Sequence, residues 1–319
     1  MTLDLAHERP VLAIVGPTGA GKSALALRVA QTFHGEIVNC DSLQLYRGFD
    51  VGTAKPPLSE RQAVPHHMFD VLDPQQGYSA GEYARHAREV IRAISDRGSL
   101  PIITGGTGFY LKALLYGLPD LPPRDSILRA GLEAREKNRP GALHRLLQRL
   151  EPTAAARIHR NDVRKLVRAL EVRILTRSPL PPPSHAEPLR GYRIFEVGLD
   201  PDRAHLYQGL DERAERMFRS GLIEEVETLL AGGCLGAEKP FESLGYKQAL
   251  QYLYGTLSLE QAIASTQLQT RQYAKRQLTW FRRDKQVQWL SGFGHSPFTI
   301  GQCLELIRAI FPALHSQKT

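Results

Sequence analysis

Residues 16–23 read Gly-Pro-Thr-Gly-Ala-Gly-Lys-Ser, a spacing that lets a turn wrap successive backbone N–H groups around phosphate oxygens. Gly16, Pro17, Thr18, Gly19, Ala20 and Gly21 form the cradle. Lys22 adds a point charge for the terminal phosphates, and Ser23 supplies a hydroxyl that can hold Mg²⁺. A second group with chemical potential is Asp41-Ser42. A carboxylate there could hold a metal, act as general base for an acceptor, or cap a turn. A third is Gly105-Gly106-Thr107, where two glycines permit close approach of a ligand and Thr107 offers a hydroxyl. Polyphosphate binding follows from the first group alone, but not whether the phosphate is transferred or discarded.

The elements that must position these groups are readable from periodicity. Val11–Val15, 36–40 and 101–104 are short apolar runs that read as buried strands, and each ends just before one of the three groups. Helical spacing follows over 22–33 and 79–97, the latter opened by Ser79 with Glu82 three residues on, a capping box. Alternation of this kind predicts a parallel three-layer α/β sheet, and ligands of such sheets lie beyond the carboxyl ends of the strands. Another apolar strand appears only at 193–199, and Val287–Leu290 rejoins the sheet. Helices are expected at 203–219, 222–231, 243–253, 259–283 and 301–311. Within the fourth, Lys275, Thr279 and Arg282 share one face, in a stretch where 271–285 holds six basic residues and one acid. Basic residues interleaved with aromatics suit RNA, although Trp280 and Phe281 would more usually be core.

Charge is unevenly placed. The chain of 319 residues carries a net +8, and residues 121–190 alone hold 15 Lys and Arg against 7 Asp and Glu, the whole of that excess. A polyanion larger than a nucleotide is implied. Proline runs at 118–123 and 178–183 bound the segment, and 126–138, 141–150 and 161–177 within it read as amphipathic helices. The expected organisation is an α/β core, 1–120 and 191–319, with a P-loop NTPase-like parallel sheet flanked by helices, and a helical, basic insertion subdomain over 121–190. No run approaches the ~20 apolar residues of a membrane span. Met1–Pro10 lacks a secretory apolar region, and the three scattered cysteines form no CxxC pair. A cytoplasmic protein is expected, with no zinc site and no disulfide framework.

Taken together, these residues make the chain resemble the bacterial tRNA dimethylallyltransferase family. The matching segments run in order over nearly its whole length. They are the phosphate loop, Asp41-Ser42-Leu43-Gln44-Leu45-Tyr46-Arg47-Gly48, Asp50–Pro56, Gly105–Tyr110, Arg168–Glu171, Gly245–Lys247 and Ala274–Trp280. The Asp-Ser-x-Gln and Lys-Arg-Gln-x-Thr-Trp motifs are far more specific than the loop. The resemblance implies prenylation of N6 of an anticodon-loop adenosine, with Asp41 as base, and with the loop, Lys22 and Mg²⁺ holding dimethylallyl diphosphate. It places Arg213 at that diphosphate and Thr107 beside the substrate adenosine. It also implies tRNA contacts from Asp41, Ser42, Leu43, Gln44, Arg129, Arg164, Lys165, Leu166, Val167, Arg168, Glu242, Ser243, Leu244, Gly245, Tyr246 and Lys247. Lys275, Arg276, Gln277, Leu278, Thr279, Trp280, Phe281 and Arg282 complete that set, and a monomer is expected. The chain departs from the family pattern at Cys40, at Arg164-Lys165, and at Gly209, where many members carry arginine. Three other readings share parts of the pattern: a small-molecule or nucleoside kinase, an adenylate isopentenyltransferase, and an RNA-binding protein whose loop only senses a nucleotide. The basic segments count against the first two, and Asp41 with Thr107 against the third.

Overall fold

The structure is a computed structural model that describes residues 8–181 and 187–315. The segment Met1–His7 and the end of the second proline run fall outside those residues. The chain divides into two compact units, residues 1–115 with 189–319, and residues 116–188.

The first unit is built on six parallel strands: β1 (Arg9–Val15), β2 (Gly35–Asn39), β3 (His66–His67), β4 (Leu100–Thr104), β5 (Tyr192–Leu199) and β6 (Gln288–Leu290). Their order is β3-β2-β4-β1-β5-β6. Residues 11–15 of β1 and all of β2 and β4 are buried, as strands covered on both faces require, which explains why they read as continuous apolar runs. The sheet is covered by α1 (Lys22–Phe33), α3 (Ala80–Asp96) and α13 (Pro297–Ile310), with the short α2 (Leu58–Ala63) at the β3 edge. Leu12, Ile14, Leu25, Val29, Ile102, Val197 and Ile307 form one apolar core between sheet and helices. Each such buried side chain contributes about 1.5–3 kcal/mol relative to exposure. Ser79 and Glu82 do form the reciprocal cap that starts α3, with the Glu82 N–H donating to Ser79 Oγ at 3.2 Å and the Ser79 N–H to Glu82 Oε2 at 2.8 Å.

Strand register sets the site. Ile14 pairs with Thr104 and Thr104 with Asn39, so the chain leaves β1, β4 and β2 at one level. Gly16, Gly105 and Asp41 therefore emerge at the same edge, where the crossover direction reverses about β1. Behind that edge lie α4 (Gly108–Tyr116), α9 (Arg203–Arg219), α10 (Leu222–Ala231), α11 (Tyr246–Leu253) and the 23-residue α12 (Leu259–Phe281).

Two helix starts differ from the expectation. The helix expected at 243 begins at Tyr246, because a 3₁₀ turn over Lys239–Glu242 precedes it and Gln248 Oε1 accepts the Gly245 N–H at 3.0 Å. The last helix begins four residues early, at Pro297, a proline in the first turn where its missing N–H costs nothing. The two-residue β3 and the six-residue α2 are too short for periodicity to mark.

The second unit is helical among its described residues: α5 (Ser126–Asn138), α6 (Ala142–Leu150), α7 (Pro152–Ala155) and α8 (Val163–Thr176). Leu132, Leu143, Leu147, Leu166, Val167 and Leu170 form its own core. Asp125 and Asp162 cap α5 and α8, accepting the N–H groups of Leu128 and Lys165 at 2.8 and 3.2 Å.

Candidate active site

The phosphate loop is shaped by glycine and held from outside. Gly21 has φ +85°, a left-handed conformation that turns the chain directly into α1, whose first residue is Lys22. The loop that follows β6 packs on it, the Gly294 N–H donating to Ala20 O at 2.8 Å. Lys22 Nζ donates to Pro17 O at 2.8 Å, and Arg213 from α9 donates to Thr18 Oγ1 at 2.8 Å. Burial pushes the Lys22 ammonium down to about 8; the charge of Asp41 opposes that fall and Arg213 adds to it. Burial, with Arg216 beside it, likewise lowers Arg213, again opposed by Asp41. Two desolvated cations thus stand together against a single carboxylate, an arrangement that an incoming polyphosphate relieves.

Asp41 is half-buried two residues past β2. Its Oδ1 accepts the Leu43 N–H at 2.9 Å, and its own N–H donates to Asn39 Oδ1 at 2.9 Å. Asn39 is fixed in turn by donating to Met68 O at 2.9 Å. The turn cap leaves Oδ2 without a hydrogen bond from the described residues. Thr107 stands beside it: Thr107 Oγ1 accepts the Ser42 N–H at 3.1 Å, and the Thr107 N–H donates to Cys40 O at 3.2 Å.

The glycines at 105 and 106 differ from their expected use. A Cβ at Gly105 would lie 2.2 Å from the Cys40 backbone, and one at Gly106 would lie 2.1 Å from Gln277 Nε2. The protein's own chain, not a ligand, makes the close approach there. Cys40 is buried, and desolvation pushes its thiol up to about 12, so it stays a protonated, inert group beside Asp41.

Tyr273 was missed as a site group, and Gln277, expected among the tRNA contacts, instead turns inward to the loop. Tyr273 lies one helical turn before Gln277 on α12, and its phenol is raised by burial and by the charge of Asp41. Gln277 accepts the Thr18 N–H and donates to Gly106 O, each at 2.8 Å. The spacing of four in the sequence is the only local signal of their shared face.

The residues matched to tRNA contacts differ in exposure. Lys275, Arg276, Thr279, Trp280 and Arg282 are exposed along α12 and its C-terminus, Trp280 at 41%, with Arg282 bound to Asp200 at 2.7 Å. Lys247, Glu242, Arg164 and Lys165 are exposed too. Ser42, Leu43, Ser243, Leu244 and Leu278 are half-buried, as is Gln44, which donates to Thr53 O at 3.1 Å. By contrast Leu166, Val167, Gly245, Tyr246, Gln277 and Phe281 are enclosed. Arg129 and Arg168 bind the fully buried Glu171 at 3.1 and 2.7 Å and hold it below the usual carboxylate range despite burial. Gly209 sits on an exposed face with nothing within 4 Å of where a side chain would begin, so an arginine there would point to solvent.

Among the described residues no cluster of three or more His, Cys, Asp or Glu could hold a metal. The groups around the loop are hard oxygen donors, Ser23, Thr18 and Asp41. They suit a divalent cation that takes most of its ligands from substrate phosphate and water.

The fold and this edge define an α/β protein of P-loop type with a carboxylate, Asp41, beside the glycine loop. Residues 44–284 match the family model described as IPP transferase, and the chain belongs to that family. It is 56% identical over 290 residues to a tRNA dimethylallyltransferase of Solibacter usitatus, covering 90% of this chain and 94% of that one. It is 51% identical to another of the same name from Koribacter versatilis, covering 92% and 97%. The structure resembles a tRNA isopentenylpyrophosphate transferase of Bacillus halodurans with a TM-score of 0.70 at 36% identity, covering 97% of both chains. It also resembles a eukaryotic dimethylallyltransferase acting on tRNA, with a TM-score of 0.81 at 27% identity, covering 97% of this chain and 81% of that one.

Proposed function

We propose that this chain transfers a dimethylallyl group from dimethylallyl diphosphate to N6 of adenosine 37 in the anticodon loop of tRNAs reading codons that begin with U, releasing diphosphate. The observation that carries the reading is the pairing of two half-buried cations bonded to the loop, Lys22 and Arg213, with one carboxylate, Asp41. A kinase would pass the phosphate on; here the phosphate is the leaving group.

The loop N–H groups, Lys22 and Arg213 bind the diphosphate where negative charge grows as the allylic C–O bond breaks. Ser23, with the diphosphate oxygens, is the group that would hold Mg²⁺, which when bound neutralises part of the leaving group's charge. The N6 lone pair of adenine forms the new C–N bond, and the electron pair of the broken C–O bond leaves with diphosphate. The N6 proton passes to Asp41, whose Oδ2 accepts no hydrogen bond from the described residues. Thr107, anchored to Ser42, orients the adenosine beside Asp41. The base must leave its stack to reach this edge, which is cheapest in a single-stranded loop. Exposed cations of α12 and of the insertion bind the tRNA backbone. Such an enzyme works as a monomer in the cytoplasm, where its tRNA is.

The test is incubation of the full chain with unmodified tRNA and radiolabelled dimethylallyl diphosphate, with labelled ATP in parallel. Prenyl label in tRNA is expected, slowed by about 10²–10⁴-fold in Asp41→Asn with pyrophosphate binding retained. Label from ATP in an acceptor, with none from the prenyl donor, overturns the reading.

A further inference from the structure

We infer that Gln277 is a positioning residue for the donor diphosphate, acting through the backbone of the phosphate loop. The inference rests on the prenyl-transfer reading only for the identity of the donor. Gln277 is 5% exposed, and its amide joins two segments remote in sequence: Oε1 accepts the Thr18 N–H and Nε2 donates to Gly106 O, both at 2.8 Å. Thr18 has one polar side-chain group, Oγ1, and Arg213 donates to it at 2.8 Å. Thr18 is therefore held at both groups by side chains from α9 and α12, helices that pack together through Leu206, Leu210 and Ala274.

The position admits few substitutes. A leucine or methionine would fill the space but leave the Thr18 N–H and the Gly106 carbonyl without partners. Glycine at 106 belongs to the same device, because a Cβ there would stand 2.1 Å from the Gln277 amide nitrogen. Direct RNA contact is a poor use for this side chain. Both of its polar atoms are engaged inside, while Lys275, Arg276, Thr279 and Trp280 around it on the helix are exposed. Gln277 spends the Thr18 N–H and fixes that end of the loop, so the amides of Gly19 to Ser23 keep the geometry a diphosphate needs.

The test measures binding of inorganic pyrophosphate with Mg²⁺ to the full chain by calorimetry, beside tRNA binding and steady-state kinetics. Gln277→Met is expected to weaken pyrophosphate about ten-fold and to raise the donor KM equally, with tRNA affinity changed by less than about two-fold. Gly106→Ala should do the same by expelling the amide. Gly106→Ala combined with Gln277→Ala should be no weaker than either single change. Unchanged pyrophosphate affinity, a loss in tRNA affinity instead, or a double variant weakened by the product of the two singles overturns the inference. If Gln277→Met fails to fold, Gly106→Ala alone decides by the same readouts. Pyrophosphate binding needs no prenyl transfer, so a failure of the proposed reaction would be seen separately.

Discussion

Lys22 holds its proton in surroundings that oppose it. Burial draws the ammonium down to about 8, Asp41 pulls it partly back, and Arg213 lowers it further. The terminal phosphate of an alkyl diphosphate, with its last ionisation near ~6, is fully charged at that pH, so the lysine alone sets the dependence above it. Affinity for dimethylallyl diphosphate is expected to fall as pH rises through about 8, approaching about ten-fold per pH unit as Lys22 loses its proton. The sign follows because only the protonated form attracts the anion. Lys22→Arg should bind with no such slope between about pH 7.5 and 9.5. A wild-type affinity that stays level over that range would show that the ammonium remains charged in its enclosure. Cys40 lies at the same edge, but its thiol, pushed up to about 12, offers no competing titration there.

The loop after β2 is an element whose support comes from far along the chain. Lys55, with a side chain only 2% exposed, donates to Tyr46 O at 2.9 Å and pairs with Asp70 at 2.7 Å. Glu225 of α10 accepts the Asp50 and Val51 N–H groups at 3.0 and 2.7 Å, and the Tyr246 hydroxyl donates to its other oxygen. Glu225→Ala would orphan three donors and is expected to lower stability by about 2–3 kcal/mol, read as a fall in Tm, with Glu225→Gln costing less. If thermal melts of Glu225→Ala matched wild type, this clamp would carry no weight. The same loop shows what sequence can and cannot convey. Helices such as 22–33 and strands such as 11–15 were legible because their periodicity is local. The loop's motif, Asp50–Pro56, could be matched but not explained, because its partner lies 175 residues away. Gly105 and Gly106 suggested a ligand for the same reason: what fills the space above them is Cys40 backbone and Gln277, brought there only by the fold. Trp280 and Phe281 show the limit of residue type, since a single step along the helix leaves the first exposed and buries the second.

For the molecule as a whole, the deciding quantity is where its charge can act. The insertion holds the chain's entire positive excess, yet its cations are not equivalent. Arg129 and Arg168 neutralise Glu171, a fully buried carboxylate that would otherwise stand uncompensated in a small helical core. Arg164 and Lys165, at the start of α8, are exposed and take no part in that core. Binding of a tRNA backbone should therefore weaken steeply with salt, and the two pairs should separate by measurement. Arg164→Ala with Lys165→Ala is expected to reduce the slope of log affinity against log salt by about 2 while leaving Tm unchanged. Arg168→Ala is expected to lower the stability of the insertion by about 2 kcal/mol, because it removes a charged hydrogen bond from Glu171. Below the resulting Tm it should leave the salt slope close to wild type. A slope that falls with Arg168 and not with Arg164 and Lys165 would put the RNA on the opposite set of side chains and leave the buried carboxylate without its structural explanation.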